Sequence, residues 1–277
     1  MLIHIFAVLS PLLSALGCWA LGYRGLGFLW RFAVFGIALF LALCILFLLF
    51  AWLSTLRVDQ SVPQTQVDPF FHWLMAQVAA LILFFSGVIV RASGFEKLPK
   101  DRLYLLVGNH LSDFDPIALL WVLRREKIGF ISKPENLRIP LIGDIIHKCC
   151  FLPIDREDDR KALTTILSAC ELMKSGACSI CIYPEGTRNK SGVGLLPFKA
   201  GAFKIAQRTA APVGVVATSG TERVHKRWPL PTVVHVQLAD VIEQPEGKRV
   251  STQLLSDQTR QILSKALHLP LPEQKDS

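Results

Sequence analysis

The segment Gly-Asn-His-Leu-Ser-Asp-Phe-Asp-Pro at residues 108–116 places a histidine and carboxylates together on a predicted turn. It follows an apolar run at 103–107 that predicts a buried strand, and it precedes an apolar run that predicts a helix. Asp115 lies five residues after His110. A carboxylate can hold an imidazole in one tautomer and stabilise the imidazolium that forms when the ring takes a proton. The pattern therefore predicts a general base without a dedicated serine, and the attacking hydroxyl could belong to a substrate.

Two further interpretations of this segment remain open. Asp113 is a second carboxylate that could pair with His110. Asp115 followed by Pro116 is also typical of a helix start, with Asp115 as the N-cap acceptor and Pro116 as the first helical residue. Capping and pairing with His110 could both apply to Asp115.

The elements that must position this turn are predicted from the pattern beyond residue 91. Short apolar runs alternate with helical stretches, which predicts an α/β domain with αβα layers and a mostly parallel or mixed sheet. The predicted strands lie near 103–108, 128–132, 149–153, 178–183, 213–218 and 232–239. The predicted helices lie near 116–125, 140–148, 158–175, 199–209 and 251–267.

Polar residues follow four of the predicted strands. They occupy residues 109–115, 132–135, 154–156 and 184–188. In open α/β sheets, ligands bind beyond the carboxyl ends of the strands. If these strands are parallel, the four loops converge on one crevice, which is the predicted site.

The first 90 residues are strongly apolar and predict membrane segments. Between Arg31 and Arg57 lie 25 residues without Asp, Glu, Lys or Arg. As a helix, this run is longer than the roughly 30 Å of a bilayer core. A weaker apolar segment occupies residues 2–23, and a third lies between Asp68 and Arg91. We expect the first two to span a membrane and the third either to span it or to lie at its interface.

This pattern predicts an integral membrane protein in four parts. They are two transmembrane helices in 1–56, a connector with the third apolar helix in 57–90, the α/β domain in 91–267 and a flexible tail in 268–277. The basic residues that directly follow the third apolar segment favour a cytoplasmic position for the domain.

Charge is concentrated in the second part of the chain. Residues 1–90 hold three Arg and two Asp, a net charge of +1, whereas the remaining 27 basic and 20 acidic residues give +7. A basic domain next to a membrane indicates anionic headgroups or polyanionic substrates as partners. No aromatic and basic binding motif favours nucleic acid.

The seven cysteines lie mostly within apolar runs, which indicates small buried side chains in a reducing compartment. Cys178 and Cys181 have the spacing of a redox or zinc pair, but no second pair accompanies them. We therefore expect them to be structural. No ligand cluster has zinc spacing, so neither a metal nor a prosthetic group is predicted.

The other predicted loops carry further motifs. These are Phe151 to Arg156, Glu185-Gly186-Thr187-Arg188, Phe198-Lys199-Ala200-Gly201, and Pro212 within an apolar run. Together with Asn109, His110 and Asp115, they resemble the motifs of the glycerophospholipid acyltransferase family, which includes the 1-acylglycerol-3-phosphate acyltransferases. The resemblance covers roughly residues 88–220, with four motifs in the order of the family; Phe198 to Gly201 is an element that follows the third of them.

The resemblance implies a catalytic role for His110, held by Asp115, as general base on an acceptor hydroxyl that attacks an acyl thioester. Arg156 and Arg188 would clamp the phosphate of the acceptor, because the guanidinium fork matches phosphate geometry. Backbone amides near His110 or in the Gly186 loop would stabilise the oxyanion. The full set of substrate-binding candidates is Asn109, Lys133, Arg156, Glu185, Gly186, Thr187 and Arg188.

The implied activity is transfer of an acyl chain from acyl-CoA or acyl carrier protein to the sn-2 hydroxyl of 1-acylglycerol 3-phosphate, which gives phosphatidic acid. Three alternatives remain open. The acceptor could be another lysophospholipid, glycerol 3-phosphate or a lyso-lipoamino acid. The protein could be a transacylase that needs no thioester, or a catalytically silent membrane binding module.

Overall fold

The computed structural model of the chain describes residues 1–191, 194–245 and 249–269. The chain divides into two compact units, Met1–Asp59 and Gln60–Ser277. Of the predicted tail at 268–277, residues 270–277 lie outside the described residues.

The first unit consists of two apolar helices, α1 (Leu2–Ala20) and α2 (Gly25–Thr55). They pack against each other, and Ser14 Oγ donates a hydrogen bond to the carbonyl oxygen of Phe32 at 2.7 Å. By length and composition, both helices could cross a membrane. This pair therefore suggests an association of the protein with membranes.

The second unit is built around a seven-stranded sheet. The strands are β1 (Val88–Ser93), β2 (Leu105–Gly108), β3 (Ile128–Ser132), β4 (Leu152–Pro153), β5 (Ser179–Ile182), β6 (Val213–Ser219) and β7 (Thr232–Ile242). The helices are α3 (Pro69–Phe85), α4 (Phe114–Val122), α5 (Ile142–Lys148), α6 (Asp159–Lys174), α7 (Lys204–Thr209), α8 (Val224–Arg227) and α9 (Thr252–Ala266). Short 3-10 turns occupy Phe95–Lys97, Pro134–Arg138, Ala200–Phe203 and Thr221–Arg223.

The strand order is β1-β7-β6-β2-β5-β3-β4. Neighbouring strands are parallel except for β6 and β7, which are antiparallel. The predicted α/β fold with a mostly parallel or mixed sheet is therefore confirmed. Because β2, β5, β3 and β4 run in one direction, the loops that follow them emerge at the same edge, which we call the carboxyl edge.

The third apolar segment forms α3, which is part of the second unit. Its N-terminus is capped by Asp68, whose carboxylate accepts hydrogen bonds from the N–H groups of Phe70 and Phe71. Ten of its 17 residues are buried, and it packs against α4 and α5. The apolar composition of this segment is thus explained by a buried face within the α/β unit.

Strand β1 is the one strand of the sheet that the sequence pattern does not predict. Only Ser86 and Gly87 separate its residues from the apolar run of α3, and such a short break does not by itself indicate a change from helix to strand. The structure makes this change at Gly87, where φ is +64°, a conformation that glycine tolerates because it has no Cβ. β1 then pairs in parallel with β7 and forms one border of the sheet.

The opposite border is formed by β4, which pairs with β3 and contains only Leu152 and Pro153. Proline lacks an N–H group and is tolerated at the border of a sheet. In β3, Gly129 allows a close approach of the Cys150 backbone: a methyl group on Gly129 would lie 2.5 Å from that carbonyl oxygen. The N–H of Ile154 donates to the carbonyl of Ser132 at 2.9 Å. The loops after β3 and β4 are therefore held side by side.

We expect Gly129→Ala to lower the free energy of unfolding by about 1–3 kcal/mol, because the added methyl group must displace the backbone of Cys150. Gly201→Ala is the matched control, since no heavy atom lies within 4 Å of its added methyl group. Chemical denaturation in detergent measures both values. Equal stability of the two variants would contradict the close approach of β3 to Cys150.

Candidate active site

Asp115 is fully buried near the start of α4 and accepts four hydrogen bonds. Its Oδ2 accepts from His110 Nδ1 at 2.8 Å. The same oxygen accepts from the N–H groups of Leu111 and Ser112 at 2.6 and 2.8 Å. Its Oδ1 accepts from Thr221 Oγ1 at 2.5 Å. Four donors fill the acceptor capacity of an ionised carboxylate.

This pairing sets the tautomer of His110. An ionised carboxylate has no proton to donate, so Nδ1 carries the ring hydrogen and donates it to Asp115. Nε2 is then the nitrogen that can accept a proton. The His110 side chain is 15% exposed, whereas that of Asp115 is 0% exposed. This geometry suits a general base, because a hydrogen bond from Nδ1 to a buried carboxylate fixes the orientation of the ring.

The interpretation of Asp115 as the N-cap of α4 is wrong. The helix begins at Phe114, and Asp113 occupies the cap position without a side-chain cap hydrogen bond. Asp115 is the second helical residue, and its carboxylate turns back to the preceding loop. The alternative pairing of Asp113 with His110 is also wrong, because Asp113 forms an ion pair with Arg188.

The imidazole ring of His110 stacks on the ring of Tyr183, with centroids 4.5 Å apart and an interplanar angle of 16°. Among the described residues, the buried hydroxyl of Tyr183 has no hydrogen-bond partner. Burial raises the pKa of this phenol well above its usual value, so it stays neutral. The stacked ring adds a second constraint on the imidazole besides its hydrogen bond.

Glu185 joins the loop after β5 to the loop that carries His110. Its buried carboxylate accepts from the N–H of His110 at 2.8 Å and from the N–H of Leu196 at 3.1 Å. Burial raises the pKa of Glu185, and the two N–H donors partly oppose this effect. Both of its oxygens are occupied by backbone donors, so this geometry positions the histidine loop.

Asn109 anchors the same loop to β6. Its Nδ2 donates to the carbonyl of Thr218 at 2.9 Å, and its Oδ1 accepts from the N–H of Thr218 at 2.8 Å. The residue is 1% exposed. The structure thus engages the side chain of Asn109 in the scaffold rather than leaving it open to the crevice.

Gly186 reverses the chain with φ at +69°. A methyl group there would lie 3.3 Å from Lys199 Cε, so the Lys199 side chain covers this turn. The N–H groups of residues 110–112 all donate to the carboxylates of Glu185 or Asp115, which removes them as oxyanion donors. Within the described residues, the N–H of Thr187 has no acceptor. The N–H of Arg188 has no acceptor in the described part of the chain either, so the Gly186 loop offers two candidate oxyanion donors.

Three cationic candidates lie on the loops at the carboxyl edge. Arg188 follows β5 and pairs with Asp113. Lys133 follows β3 and is exposed. Arg156 follows β4, is half-buried and makes neither a hydrogen bond nor an ion pair in the described part of the chain. Burial lowers the pKa of Arg156, and the charge of Glu135 partly opposes this.

Three side chains contribute to this geometry without having been predicted: Tyr183, Lys199 and Thr221. Thr221 lies 106 residues from Asp115 in the sequence, and nothing in its local pattern marks it. Tyr183 lies two residues before Glu185 and Lys199 lies within the motif of residues 198–201, and these positions are the one signal that could have indicated them. Their contacts with His110 and Gly186 arise from packing.

The cysteines agree with the structural interpretation, since all seven are buried and none forms a disulfide. Among residues 1–191, 194–245 and 249–269, no group of three or more His, Cys, Asp or Glu side chains could hold a metal ion.

The chain is similar to known acyltransferases. Residues 89–219 match the family model described as Acyltransferase. The chain is 33% identical over 201 residues to a chloroplastic 1-acyl-sn-glycerol-3-phosphate acyltransferase of Brassica napus, covering 72% of this chain and 57% of the relative. It is 27% identical over 192 residues to the 1-acyl-sn-glycerol-3-phosphate acyltransferase of Borreliella burgdorferi, covering 67% and 76%.

A solved structure has the same fold. It is the crystal structure of the 1-acyl-sn-glycerophosphate acyltransferase PlsC from Thermotoga maritima, with a TM-score of 0.58 and 23% identity over 79% of this chain and 86% of that chain. At this identity the likeness concerns the fold alone. The chain spans little more than half the length of the plant relatives that it matches.

We expect Asp115→Asn to lower kcat by about 10²–10⁴-fold, the range for general-base catalysis, because the amide no longer fixes the tautomer of His110. The free energy of unfolding should fall by about 1–3 kcal/mol, because buried donors lose their acceptor. Turnover assays and chemical denaturation measure the two effects.

Asp113→Asn is the matched control, because the Asp113 side chain is 66% exposed. We expect its kcat to stay close to that of the parent and its unfolding free energy to change by no more than about 0.5 kcal/mol. Equal losses of kcat in the two variants would contradict the assignment of Asp115.

Proposed function

Since the chain belongs to the acyltransferase family, we propose that it transfers an acyl group from a thioester to the sn-2 hydroxyl of 1-acylglycerol 3-phosphate, forming phosphatidic acid. The observation that carries this proposal is the pair of His110 and the buried Asp115, which leaves Nε2 free to take a proton. The relatives from Brassica napus and Borreliella burgdorferi are named for this acceptor.

The reaction proceeds without an acyl-enzyme. Nε2 of His110 takes the proton of the acceptor hydroxyl while the oxygen attacks the carbonyl carbon of the thioester. A backbone N–H of the Gly186 loop, that of Thr187 or of Arg188, stabilises the oxyanion of the tetrahedral intermediate. When the carbon–sulfur bond breaks, the imidazolium returns its proton to the leaving thiolate, and the free thiol departs.

The phosphate of the acceptor is bound by Arg156, Arg188 and Lys133. Arg156 supports this role best, because its half-buried guanidinium forms no ion pair or hydrogen bond with a described residue and feels only the more distant charge of Glu135. Arg188 binds the phosphate by exchanging its ion pair with Asp113. Asn109, Glu185 and Gly186 act by holding the loops that present the base and these cations.

The acyl donor is acyl-CoA or acyl carrier protein. Both are anionic, and the net charge of +7 over residues 91–277 favours either one. The steps above require no metal and no prosthetic group. Lysophospholipid, acyl donor and membrane lipid are then the partners of the protein.

The enzyme acts at a membrane, where its acceptor resides. In this arrangement α1 and α2 span the bilayer, and the second unit faces the cytoplasm, where acyl thioesters are made. Because one face of α3 is buried within the second unit, α3 is better placed at the membrane interface than across the membrane. The connection between α1 and α2, which contains Arg24, then lies on the outer side.

The experiment that tests this function is thiol release from acyl-CoA by the purified protein in lipid, with mass spectrometry of the product. The acceptors are 1-acylglycerol 3-phosphate, glycerol 3-phosphate, lysophosphatidylcholine and none. We expect phosphatidic acid with the first acceptor and a loss of about 10²–10⁴-fold in His110→Ala, with little change in thermal unfolding. A second series replaces acyl-CoA by acyl carrier protein thioesters.

Other outcomes separate the alternatives. A product formed only from another acceptor would replace 1-acylglycerol 3-phosphate as the assigned acceptor. A product formed without any thioester would indicate a transacylase. No product with either donor would favour a binding module. A large fall in the midpoint temperature of thermal unfolding of His110→Ala would indicate that His110 is a structural residue.

We expect Arg156→Ala to raise the KM for 1-acylglycerol 3-phosphate by on the order of tenfold or more, the value of one charge-assisted hydrogen bond. kcat should change less than KM. Arg160→Ala is the matched control, because Arg160 belongs to the same charged run and is exposed on α6. Equal effects on KM in steady-state kinetics would remove Arg156 from the phosphate site.

A further inference from the structure

An exposed segment with aromatic, aliphatic and basic side chains follows β6. It comprises residues 225–230, which include the last three residues of α8 and end two residues before β7, and we call it the rim segment. Trp228 and Leu230 are 63% and 62% exposed. Lys226 and Arg227 are also exposed, and neither forms an ion pair with a described residue.

The rim segment lies beside the candidate active site. β6 runs parallel to β2, so it ends at the carboxyl edge. Thr221, shortly after β6, donates its hydroxyl hydrogen to Asp115. The ring of His225 meets the ring of Phe114 edge-on, with centroids 5.2 Å apart, and Phe114 is the first residue of α4. The rim segment therefore contacts the start of α4 through His225, and the turn that precedes it is bonded to Asp115 through Thr221.

The rim segment is continuous with the exposed end of α3. Trp228 Nε1 donates to the carbonyl of Phe85 at 3.2 Å, so the polar atom of the indole is satisfied while its ring remains exposed. Phe84 and Phe85 are 46% and 47% exposed. A methyl group on Gly87 would lie 3.5 Å from Pro231 Cα. The exposed apolar side chains of this surface are Phe84, Phe85, Ile89, Trp228 and Leu230.

The charge of this surface is positive. The one carboxylate in residues 221–231 is Glu222, and it pairs with Arg223 at 3.3 Å. Lys226 and Arg227 are left as two cations without a nearby anion in their own segment. Basic side chains next to an exposed tryptophan match the chemistry of an anionic lipid surface: the indole occupies the headgroup region, and the cations bind anionic headgroups.

We propose that the rim segment and the end of α3 dock on the surface of an anionic phospholipid bilayer and orient the carboxyl edge toward the lipid. The docking itself does not require the reaction. Its purpose rests on the proposed function, because a lysolipid acceptor could then move its headgroup into the crevice while its acyl chain stays in the bilayer. An exposed apolar patch of this kind otherwise has to be covered or to remain an aggregation site.

The direct test labels position 230 of the full-length chain. All seven native cysteines are buried, so Leu230→Cys supplies a single accessible thiol for an environment-sensitive fluorophore such as nitrobenzoxadiazole. The protein is reconstituted in phosphatidylcholine vesicles with or without phosphatidylglycerol, and lipids with a nitroxide at the headgroup region act as quenchers. Ser175→Cys is the control, because Ser175 is exposed after α6, which leads back to the start of β5 at the opposite edge of the sheet.

We expect blue-shifted emission and nitroxide quenching at position 230, stronger with phosphatidylglycerol, and neither effect at position 175. Equal quenching at both positions, or none at position 230, would overturn the docking. Quenching that is independent of phosphatidylglycerol would overturn the proposal that the rim segment recognises anionic headgroups.

A kinetic test uses Lys226→Gln combined with Arg227→Gln. We expect the KM for 1-acylglycerol 3-phosphate in anionic vesicles to rise by roughly fivefold per charge removed, while turnover of a short-chain, water-soluble acceptor stays unchanged. A KM equal to that of the parent would contradict the proposal. Because the fluorescence does not depend on turnover, failure of the docking and failure of the proposed function give different results.

Discussion

A buried anion organises the candidate site, because the Asp115 carboxylate is removed from water and needs a full set of donors. Burying a charge costs several kcal/mol unless hydrogen bonds replace its hydration. The donors are the His110 ring, two backbone N–H groups of the same loop and the Thr221 hydroxyl. The loop after β2 and the loop after β6 are therefore held by one anion. His110 cannot adopt its other tautomer without losing this hydrogen bond.

The directions of the strands decide what surrounds this anion. The parallel strands β2, β5, β3 and β4 bring the histidine, the Glu185 carboxylate and the cations to one edge. The antiparallel pair of β6 and β7 has a different consequence. The chain leaves β6 at the carboxyl edge and re-enters β7 there, so the connecting rim segment remains at that edge. β1 is parallel to β7 and starts at the same edge, which brings the end of α3 beside Trp228.

Much of this fold could be predicted because its strands are short apolar runs and its loops carry recognisable polar motifs. What could not be predicted concerns partners that are distant in sequence. The pattern around Asp115 suits both a helix cap and a histidine partner, and only packing decides between them. No local sequence pattern marks Thr221 as a partner of Asp115, since threonine is common in loops of every kind. β1 was hidden because an apolar run shows burial without showing whether the backbone is helical or extended.

The three cations at the carboxyl edge differ in how much each would lower the free energy of a bound anion. Arg188 already forms an ion pair with Asp113. The net binding energy of a phosphate at Arg188 is therefore the energy of the new ion pair minus that of the existing one. Lys133 is exposed and hydrated, so its attraction is weakened by solvent. Arg156 is half-buried without an ion-pair partner among the described residues. Because burial has already removed part of its hydration, a phosphate that reaches Arg156 displaces little further water. An anionic headgroup should therefore gain most from Arg156, even though His110 is the proposed base.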